Sequence, residues 1–252
     1  MRFFKKILDR ILNRLASVLL PSIRKIIKEE LTYHSHDLKY KMQDMAANKT
    51  ADFIVKNIPI NLHFNDRYSL LHNVCSKLKK NENDTDGSVL EFGVWKGSTI
   101  NHMSKLLPKM NLYGFDSFEG LTEPWIFNNK GAFDNISELP KVEKNVELIQ
   151  GYFNDTLPHF MSNLKEQVKL VHIDCDLYSS TVTIFENIQS VLKPGVIIVF
   201  DEFFNYPGWE NGEYKAWNEF VEKNNISYEY IGYSYQKNEQ YKSGQQVAVL
   251  LK

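Results

Sequence analysis

The chain has 252 residues, of which 43% are hydrophobic and 24% charged, close to the average for globular proteins. This composition excludes disorder, collagen-like repeats and coiled coil over most of the length. The formal net charge of -1 gives no overall basic excess of the kind that indicates nucleic-acid binding. Two cysteines, Cys75 and Cys175, exclude a disulfide framework and are typical of a reducing compartment, so we expect a cytoplasmic protein.

The N-terminal residues 1–28 carry a net charge of +7, which leaves about −8 for the rest of the chain. Apolar residues at alternating spacings of four and three, from Phe4 to Val18, predict an amphipathic helix with a basic opposite face that ends at Pro21. We therefore interpret residues 1–32 as a basic helical arm. Residues 33–64 are interpreted as a linker or helical segment.

Three interpretations of this arm compete. It packs on its own domain or on a second subunit, or it lies on an anionic membrane surface, which would place the protein peripherally at the inner membrane. A secretory signal is disfavoured because charges interrupt the apolar stretch and no small-residue cleavage site follows. The apolar stretch LASVLLPSI is far shorter than the roughly 20 residues that span a bilayer.

From residue 65 to residue 252, short apolar runs alternate with amphipathic segments. The runs are SVLEFGV, NLYGFDS, VELIQG, KLVHIDCD, GVIIVFDE, YEYIGYS and QQVAVLLK. Strands that alternate with helices predict an α/β fold, a Rossmann-like, doubly wound and mostly parallel sheet covered on both faces. The last two runs have no helix between them and predict an antiparallel C-terminal hairpin at one edge.

Ligands of such sheets bind at the carboxyl ends of the strands. The first predicted strand ends in EFGVWKGST, where Gly93 and Gly97 let the backbone turn and approach a ligand before a helix begins at Ser98. Crowding at the turn is the alternative reason for these glycines. The second strand ends at Asp116, at the distance from the glycine turn that suits an acceptor for ribose hydroxyls. An aspartate that only caps a turn is the alternative there.

The fourth and fifth predicted strands end in acids, Asp174 and Asp176 on one and Asp201 and Glu202 on the other. Unpaired carboxylates at the end of a buried strand are costly, so they need a hard cation, a basic side chain or solvent. Residues at spacing two share a face, which groups Asp174 with Asp176. Oxygen ligands favour Mg²⁺ or Ca²⁺ over zinc. Alternatively, Asp176 caps the next helix and Glu202 is solvated.

Two other residues at these strand ends, and two aromatic segments nearby, also have predicted positions. We expect His172 and Cys175 to face away from the acids, as core residues. The long segment 118–144 shows no clear strand, and its aromatic part with Trp125 and Phe127 is interpreted as a lid. The aromatic segment 203–209 is interpreted as another wall of the acceptor pocket. Ordinary packing is the alternative for both segments.

Five of these motifs, in order and spacing, resemble the TylF/macrocin O-methyltransferase family of class I S-adenosylmethionine-dependent methyltransferases. They are VLEFGVWKGST, LYGFDSFEGLTEPW, GYFNDTLP, VHIDCDLYSSTVTIFENI and LKPGVIIVFDEF. The resemblance extends from about Asp66 to the C-terminus and leaves out the basic arm. It implies a seven-stranded sheet whose last strand is antiparallel.

The resemblance also implies roles for particular residues and two cofactors, S-adenosylmethionine and Mg²⁺. The cofactor-binding residues would be Glu91, Gly93, Gly97, Ser98, Asp116, Ser117, Phe118, Tyr152 and Phe153. Asp174, Asp201 and Glu202 would hold the metal, with Asp174 as the catalytic base. The family often has a second aspartate where this chain has Glu202.

The function predicted in this way is methyl transfer, assisted by Mg²⁺, to a hydroxyl of a sugar or a glycosylated small molecule. The expected partners are a sugar-like acceptor and other copies of the chain in a homo-oligomer, without nucleic acid. Two alternatives remain open. One is an enzyme of the same fold that acts on a phenolic or phosphorylated acceptor, and the other is a non-catalytic scaffold protein whose working part is the N-terminal helix.

Overall fold

A computed structural model describes residues 2–79, 87–134, 138–234 and 245–252. The chain divides into two compact units, Met1–Met45 and Ala46–Lys252. The helices are α1 Arg2–His36, α2 Leu38–Asn57, α3 Arg67–Leu78, α4 Ser98–Leu106, α5 Phe153–Asn163, α6 Tyr178–Ile188 and α7 Glu213–Asn224. The strands are β1 His63–Phe64, β2 Ser88–Phe92, β3 Asn111–Asp116, β4 Val146–Gln150, β5 Val168–Ile173, β6 Ile197–Phe204, β7 Tyr228–Ser234 and β8 Gln245–Leu251.

The strands form one sheet in the order β1-β7-β8-β6-β5-β2-β3-β4. All pairings are parallel except those of β8, which is antiparallel to both β6 and β7. This arrangement confirms the predicted mostly parallel α/β fold and its antiparallel C-terminal strands. Among the described residues the sheet has eight strands, because the two-residue β1 covers the outer edge of β7. The loop expected within the hairpin, residues 235–244, lies outside the described residues.

The sheet is buried on both faces, as continuous apolar strands require. All five residues of β2 and all eight of β6 are buried. Alternate residues of β6 enter different core layers, Ile198 and Phe200 on one side and Ile197 and Val199 on the other. The helices therefore hold the sheet from two sides and leave the carboxyl ends of its strands as the accessible edge.

The prediction that the first helix ends at Pro21 is wrong, since α1 continues through Pro21 to His36. Proline inside a helix removes one hydrogen bond and adds a steric conflict, but it does not always end the helix. The flanking leucine, isoleucine, arginine and lysine residues include strong helix formers that favour continuation. Most of the segment 33–64 is helical as well, because α2 begins at Leu38.

The second half of α2 lies in the larger unit, which begins at Ala46 and so includes residues that we assigned to the linker segment. Thr50 accepts a hydrogen bond from the backbone N–H of Asn205 at 3.0 Å. The ring of Phe53 packs in an aromatic cluster, with its centroid 5.3 Å from that of Tyr214 and 5.6 Å from that of Trp209. These contacts attach α2 to the segment that follows β6.

We predict that Phe53→Ala destabilises the larger unit by about 2–4 kcal/mol, because it leaves a cavity within the aromatic cluster. For a unit of this size that loss lowers the melting temperature by about 5–15 °C. Val55→Ala is the matched control, since Val55 lies on the same helix with 69% of its side chain exposed. Equal melting temperatures for the two variants in a thermal scan would contradict this role of Phe53.

Candidate functional site

A cavity of about 1180 Å³ opens at the carboxyl ends of β2, β3, β5 and β6. Its lining includes Arg67, Gly93, Asp116, Tyr152, Asp174 and Glu202. The cavity therefore joins two groups of predicted site residues, the glycine turn with its aspartate and the strand-end acids. The topology alone accounts for this juxtaposition, because parallel strands direct their carboxyl ends to one edge.

The glycine turn follows β2 and leads into α4. Gly93 has a φ of 92°, and a Cβ atom there would lie 1.8 Å from the carbonyl oxygen of Asp174. Gly97 has a φ of 76° and is the N-cap of α4. Crowding against β5 therefore requires glycine at 93, as one alternative held. Gly93, Ser98 and Thr99 also line the cavity, so the turn and the first turn of α4 are accessible to a ligand.

Asp116 closes the glycine turn from the neighbouring strand. Its Oδ2 accepts hydrogen bonds from the backbone N–H groups of Val94 and Trp95, both at 2.8 Å, and its Oδ1 accepts one from Phe118 at 2.7 Å. A carboxylate offers about four acceptor positions, so this conformation leaves one on Oδ1 for a ligand. Asp116 thus combines turn stabilisation with a negative charge at the cavity surface.

Aromatic and polar side chains surround this end of the cavity. Ser117, Phe118, Tyr152 and Phe153, which sequence reasoning grouped around an adenine, all line it. The hydroxyl of Tyr152 donates a hydrogen bond to Glu119 at 2.5 Å. The structure therefore brings these four residues together beside Asp116.

Glu91 lies beneath the glycine turn, fully buried, and pairs with His172. Its carboxylate accepts a hydrogen bond from the Thr99 hydroxyl at 3.0 Å and contacts Nδ1 of His172 at 3.0 Å. Burial alone would favour a neutral imidazole, but Asp201 and Glu91 raise the pKa of His172 to about 10. The two acids therefore favour the protonated ring, in which Nδ1 donates to Glu91.

This pairing corrects the prediction that His172 faces away from the acids. His172 and Asp174 are two residues apart and share a side of the chain, and Nε2 of His172 lies 3.9 Å from Oδ1 of Asp201. Cys175 is buried, as expected, and its sulfur lies 3.5 Å from the hydroxyl of Thr181.

Arg67, the first residue of α3, supplies a second cation to the strand-end acids. Its Nη2 lies 2.6 Å from Oδ2 of Asp201 and its Nη1 lies 3.8 Å from Oδ2 of Asp174. Burial opposes the charged form, but attraction to Asp201 and Asp174 raises the pKa of Arg67. A capping box places the residue, since Asp66 and Ser69 exchange hydrogen bonds at the start of α3. The basic side chain considered as a partner for these acids is therefore present.

Three further acids, Asp176, Glu202 and Glu213, extend the cluster. Burial and the charge of Asp201 raise the pKa of Asp176 to about 7 and that of Glu202 well above its ordinary value. Burial and Asp176 do the same for Glu213. One carboxylate oxygen each of Glu202 and Glu213 is buried without a hydrogen-bond partner. Asp176 does not cap the next helix, because the N-cap of α6 is Leu177.

Part of this donor set fits a divalent cation. Among the described residues, His172, Asp174 and Asp201 each offer a ligand atom within 4.8 Å of the others, and Glu202 is not a member of that group. Two carboxylates suit a hard ion such as Mg²⁺. The guanidinium of Arg67 already contacts both of them, so an ion and Arg67 compete for the same oxygens. His172 would have to lose a proton to act as a ligand.

The two aromatic segments differ in their outcome. Trp125 lines the cavity and packs on Tyr206, with ring centroids 5.7 Å apart. Backbone hydrogen bonds from Leu121 to Ala132 and from Gly131 to Leu121 join the two ends of this loop, and its role as a lid stays a prediction. Residues 135–137 of the long segment lie outside the described residues. Phe203, Phe204 and Trp209 are core residues, so the alternative of ordinary packing is correct for segment 203–209.

Sequence reasoning missed Arg67, the role of His172, and Glu213. Arg67 had a signal, since NDRYS places a basic residue directly after a helix-capping aspartate. His172 also had one, its spacing of two from Asp174. No sequence signal marks Glu213. It approaches the acids because α7 packs against β6, where the backbone N–H of Glu202 donates a hydrogen bond to its carboxylate.

Comparisons with known proteins show which proteins this chain is similar to. Residues 90–203 match the family described as "Methyltransferase domain". A curated relative from Streptomyces olivaceus, 8-demethyl-8-(2,3-dimethoxy-alpha-L-rhamnosyl)-tetracenomycin-C 4'-O-methyltransferase, is 25% identical over 141 residues. That match covers 46% of this chain and 53% of the relative, so the chain spans about half of the relative's length.

Two solved structures share the fold. The calicheamicin methyltransferase CalS11 superposes with a TM-score of 0.55 at 20% identity, over 85% of this chain and 94% of that one. The O-methyltransferase NovP has a TM-score of 0.51 at 19% identity, over 73% of this chain and 78% of that one. Residues 90–203 thus resemble a methyltransferase domain, and the chain shares the class I fold of these solved methyltransferases.

We predict that Arg67→Met lowers the melting temperature in EDTA by on the order of 10 °C, because it leaves Asp201 buried without its counter-ion. Millimolar Mg²⁺ or Mn²⁺ should recover most of that loss, since the ion replaces the missing charge. Lys96→Met removes a positive charge at the same cavity, where the ammonium lies 4.1 Å from the centre of the Trp95 ring, and serves as the control. A stable Arg67→Met protein that is indifferent to metal would contradict the role of Arg67.

Proposed function

We propose that the chain is an O-methyltransferase of the TylF/macrocin type, which transfers a methyl group from S-adenosylmethionine to a hydroxyl of a sugar or glycosylated small molecule. One observation carries the proposal. A single cavity has a glycine turn, a helix N-terminus and Asp116 at one end, and a cluster of buried acids at the other. The tetracenomycin relative, named for 4'-O-methylation of a compound with a rhamnosyl group, supports a sugar-like acceptor.

The cofactor half of the site rests on the turn and its neighbours. Gly93 and Gly97 bring the backbone close, Ser98 presents an N–H at the start of α4, and Asp116 has an acceptor position for a ribose hydroxyl. Ser117, Phe118, Tyr152 and Phe153 provide the surface for an adenine. Glu91 acts from beneath the turn, through Thr99, and not by direct contact.

The acceptor half rests on the acids. When bound, S-adenosylmethionine supplies a sulfonium methyl group that is already strongly electrophilic. Asp174 lines the cavity and takes the proton of the acceptor hydroxyl as the oxygen–methyl bond forms and the sulfur–methyl bond breaks, which leaves a neutral thioether. The walls hold the oxygen in line with the methyl group and exclude water, and alignment of this kind supplies much of the rate.

We also propose that Mg²⁺ assists, held by Asp174 and Asp201 with Glu202 nearby. The oxygen-rich donors and the unpartnered Oε2 of Glu202 support this assignment. A bound ion would lower the pKa of an acceptor hydroxyl. Arg67 is the residue that must yield its contacts to these carboxylates for the ion to bind.

The cofactor site is tested by calorimetric titration with S-adenosylhomocysteine. We expect micromolar binding to the unaltered chain and a loss of about tenfold or more, or about 1.4 kcal/mol, in both Asp116→Asn and Tyr152→Ala. Asp155→Asn changes an exposed aspartate in the same motif and should bind normally. Because Asp116 also holds the turn, the melting temperature of each variant is measured alongside. A folded chain that shows no binding would refute the proposal.

The acceptor site is tested with labelled S-adenosylmethionine against sugar, catechol and phosphorylated acceptors, with and without EDTA. Methylation of sugar hydroxyls is expected, and Asp174→Asn should lower kcat about 100-fold or more while S-adenosylhomocysteine binding persists. Asp155→Asn again serves as the control. Turnover of only catechol or only a phosphorylated compound would show that the acceptor is of a different class. Full activity of Asp174→Asn would show that Asp174 is not the general base.

A further inference from the structure

Helix α1 combines a high positive charge with an exposed apolar stripe, and methyl transfer explains neither. Residues 1–28 carry a net charge of +7. The basic residues with described side chains are Arg14, Arg24, Lys25 and Lys28. At 3.6 residues per turn, Arg14, Arg24, Lys25 and Lys28 all fall within an arc of about 100° around the axis, so these four residues share one broad face of α1.

The opposite face is apolar. Leu15, Leu19, Ile23 and Ile26 follow each other at spacings of four and three, and Val18 lies three residues after Leu15, which places the five side chains along one broad side of the helix. Their side chains are between 47% and 66% exposed. An exposed apolar stripe of this length on a charged helix is a binding surface that needs an occupant.

The charge identifies the occupant. A second copy of α1 would bring two strongly positive helices together, which like-charge repulsion opposes. Among the described residues, no helix is long and apolar enough to cross a membrane. A basic face beside an apolar stripe matches the interface of a bilayer with anionic headgroups, where the helix lies in the plane of the surface. The remainder of the chain carries about −8, so the attraction to such a surface lies in the arm alone.

We propose that α1 docks this protein on anionic phospholipid surfaces. The five apolar side chains enter the headgroup–acyl boundary, and the arginine and lysine face contacts lipid phosphates. This inference goes beyond methyl transfer and is independent of it, because it depends on the N-terminal unit and on lipid alone.

The experiment is co-flotation of the full chain with vesicles of phosphatidylcholine, with and without an equal part of phosphatidylglycerol. Binding is expected only with phosphatidylglycerol and should weaken between 0.1 and 0.5 M salt, roughly as screening predicts. Reversal of Arg14, Arg24, Lys25 and Lys28 to Glu should weaken binding by about 100-fold or more. Reversal of Lys56, Lys165, Lys193 and Lys223 to Glu, all exposed in the larger unit, is the matched control and should leave most of the binding intact.

A second variant tests the apolar stripe separately. Leu15→Ser with Val18→Ser and Ile26→Ser keeps every charge and should still lower vesicle affinity about tenfold or more, since buried apolar area adds to the electrostatic term. Helix content by circular dichroism and binding of S-adenosylhomocysteine should be unchanged in all variants. Failure of the unaltered chain to float with phosphatidylglycerol vesicles would overturn the proposal. So would lipid-independent dimerisation in sedimentation velocity that the stripe variant abolishes.

Discussion

The site depends on the contacts of two basic side chains, the partly exposed Arg67 and the buried His172, with the acids at the ends of β5 and β6. Arg67 and His172 approach opposite oxygens of Asp201, and Arg67 also reaches Asp174. Without them, a fully buried aspartate would stand uncompensated at the centre of the sheet edge. Glu91 completes the series by pairing with His172 beneath the glycine turn. A series of paired ionisable side chains therefore connects the underside of the glycine turn to the acids at the ends of β5 and β6.

This connection gives the cavity two different halves. At the turn, the carboxylate of Asp116 accepts hydrogen bonds from three backbone N–H groups, which fix its position. At the other end, carboxyls outnumber cations, and burial raises the pKa of Asp176, Glu202 and Glu213. The rigid half suits recognition of a constant ligand. The half with excess acid suits proton uptake or a divalent ion.

The division of charge along the chain distinguishes the two units. The larger unit concentrates buried acids at one sheet edge and carries the negative balance of the sequence. The N-terminal unit carries the positive balance on one helix, together with apolar side chains that are about half exposed. The buried acids and the exposed basic helix thus lie in different parts of the chain, so each can be mutated separately.

The sequence by itself determined the fold class, the order of strands and helices in the larger unit, and the strand ends that carry the glycines and acids. Local rules suffice for these features, because hydrophobic periodicity and turn residues act over a few positions. The tertiary structure decided which cation meets the acids, since Arg67 is more than a hundred residues from Asp174 along the chain. It also decided that His172 lies among the acids and that Phe53 attaches α2 to the aromatic cluster. The core position of most of the segment 203–209 is a further result of the tertiary structure. Each of these depends on packing between distant elements, which no local pattern records.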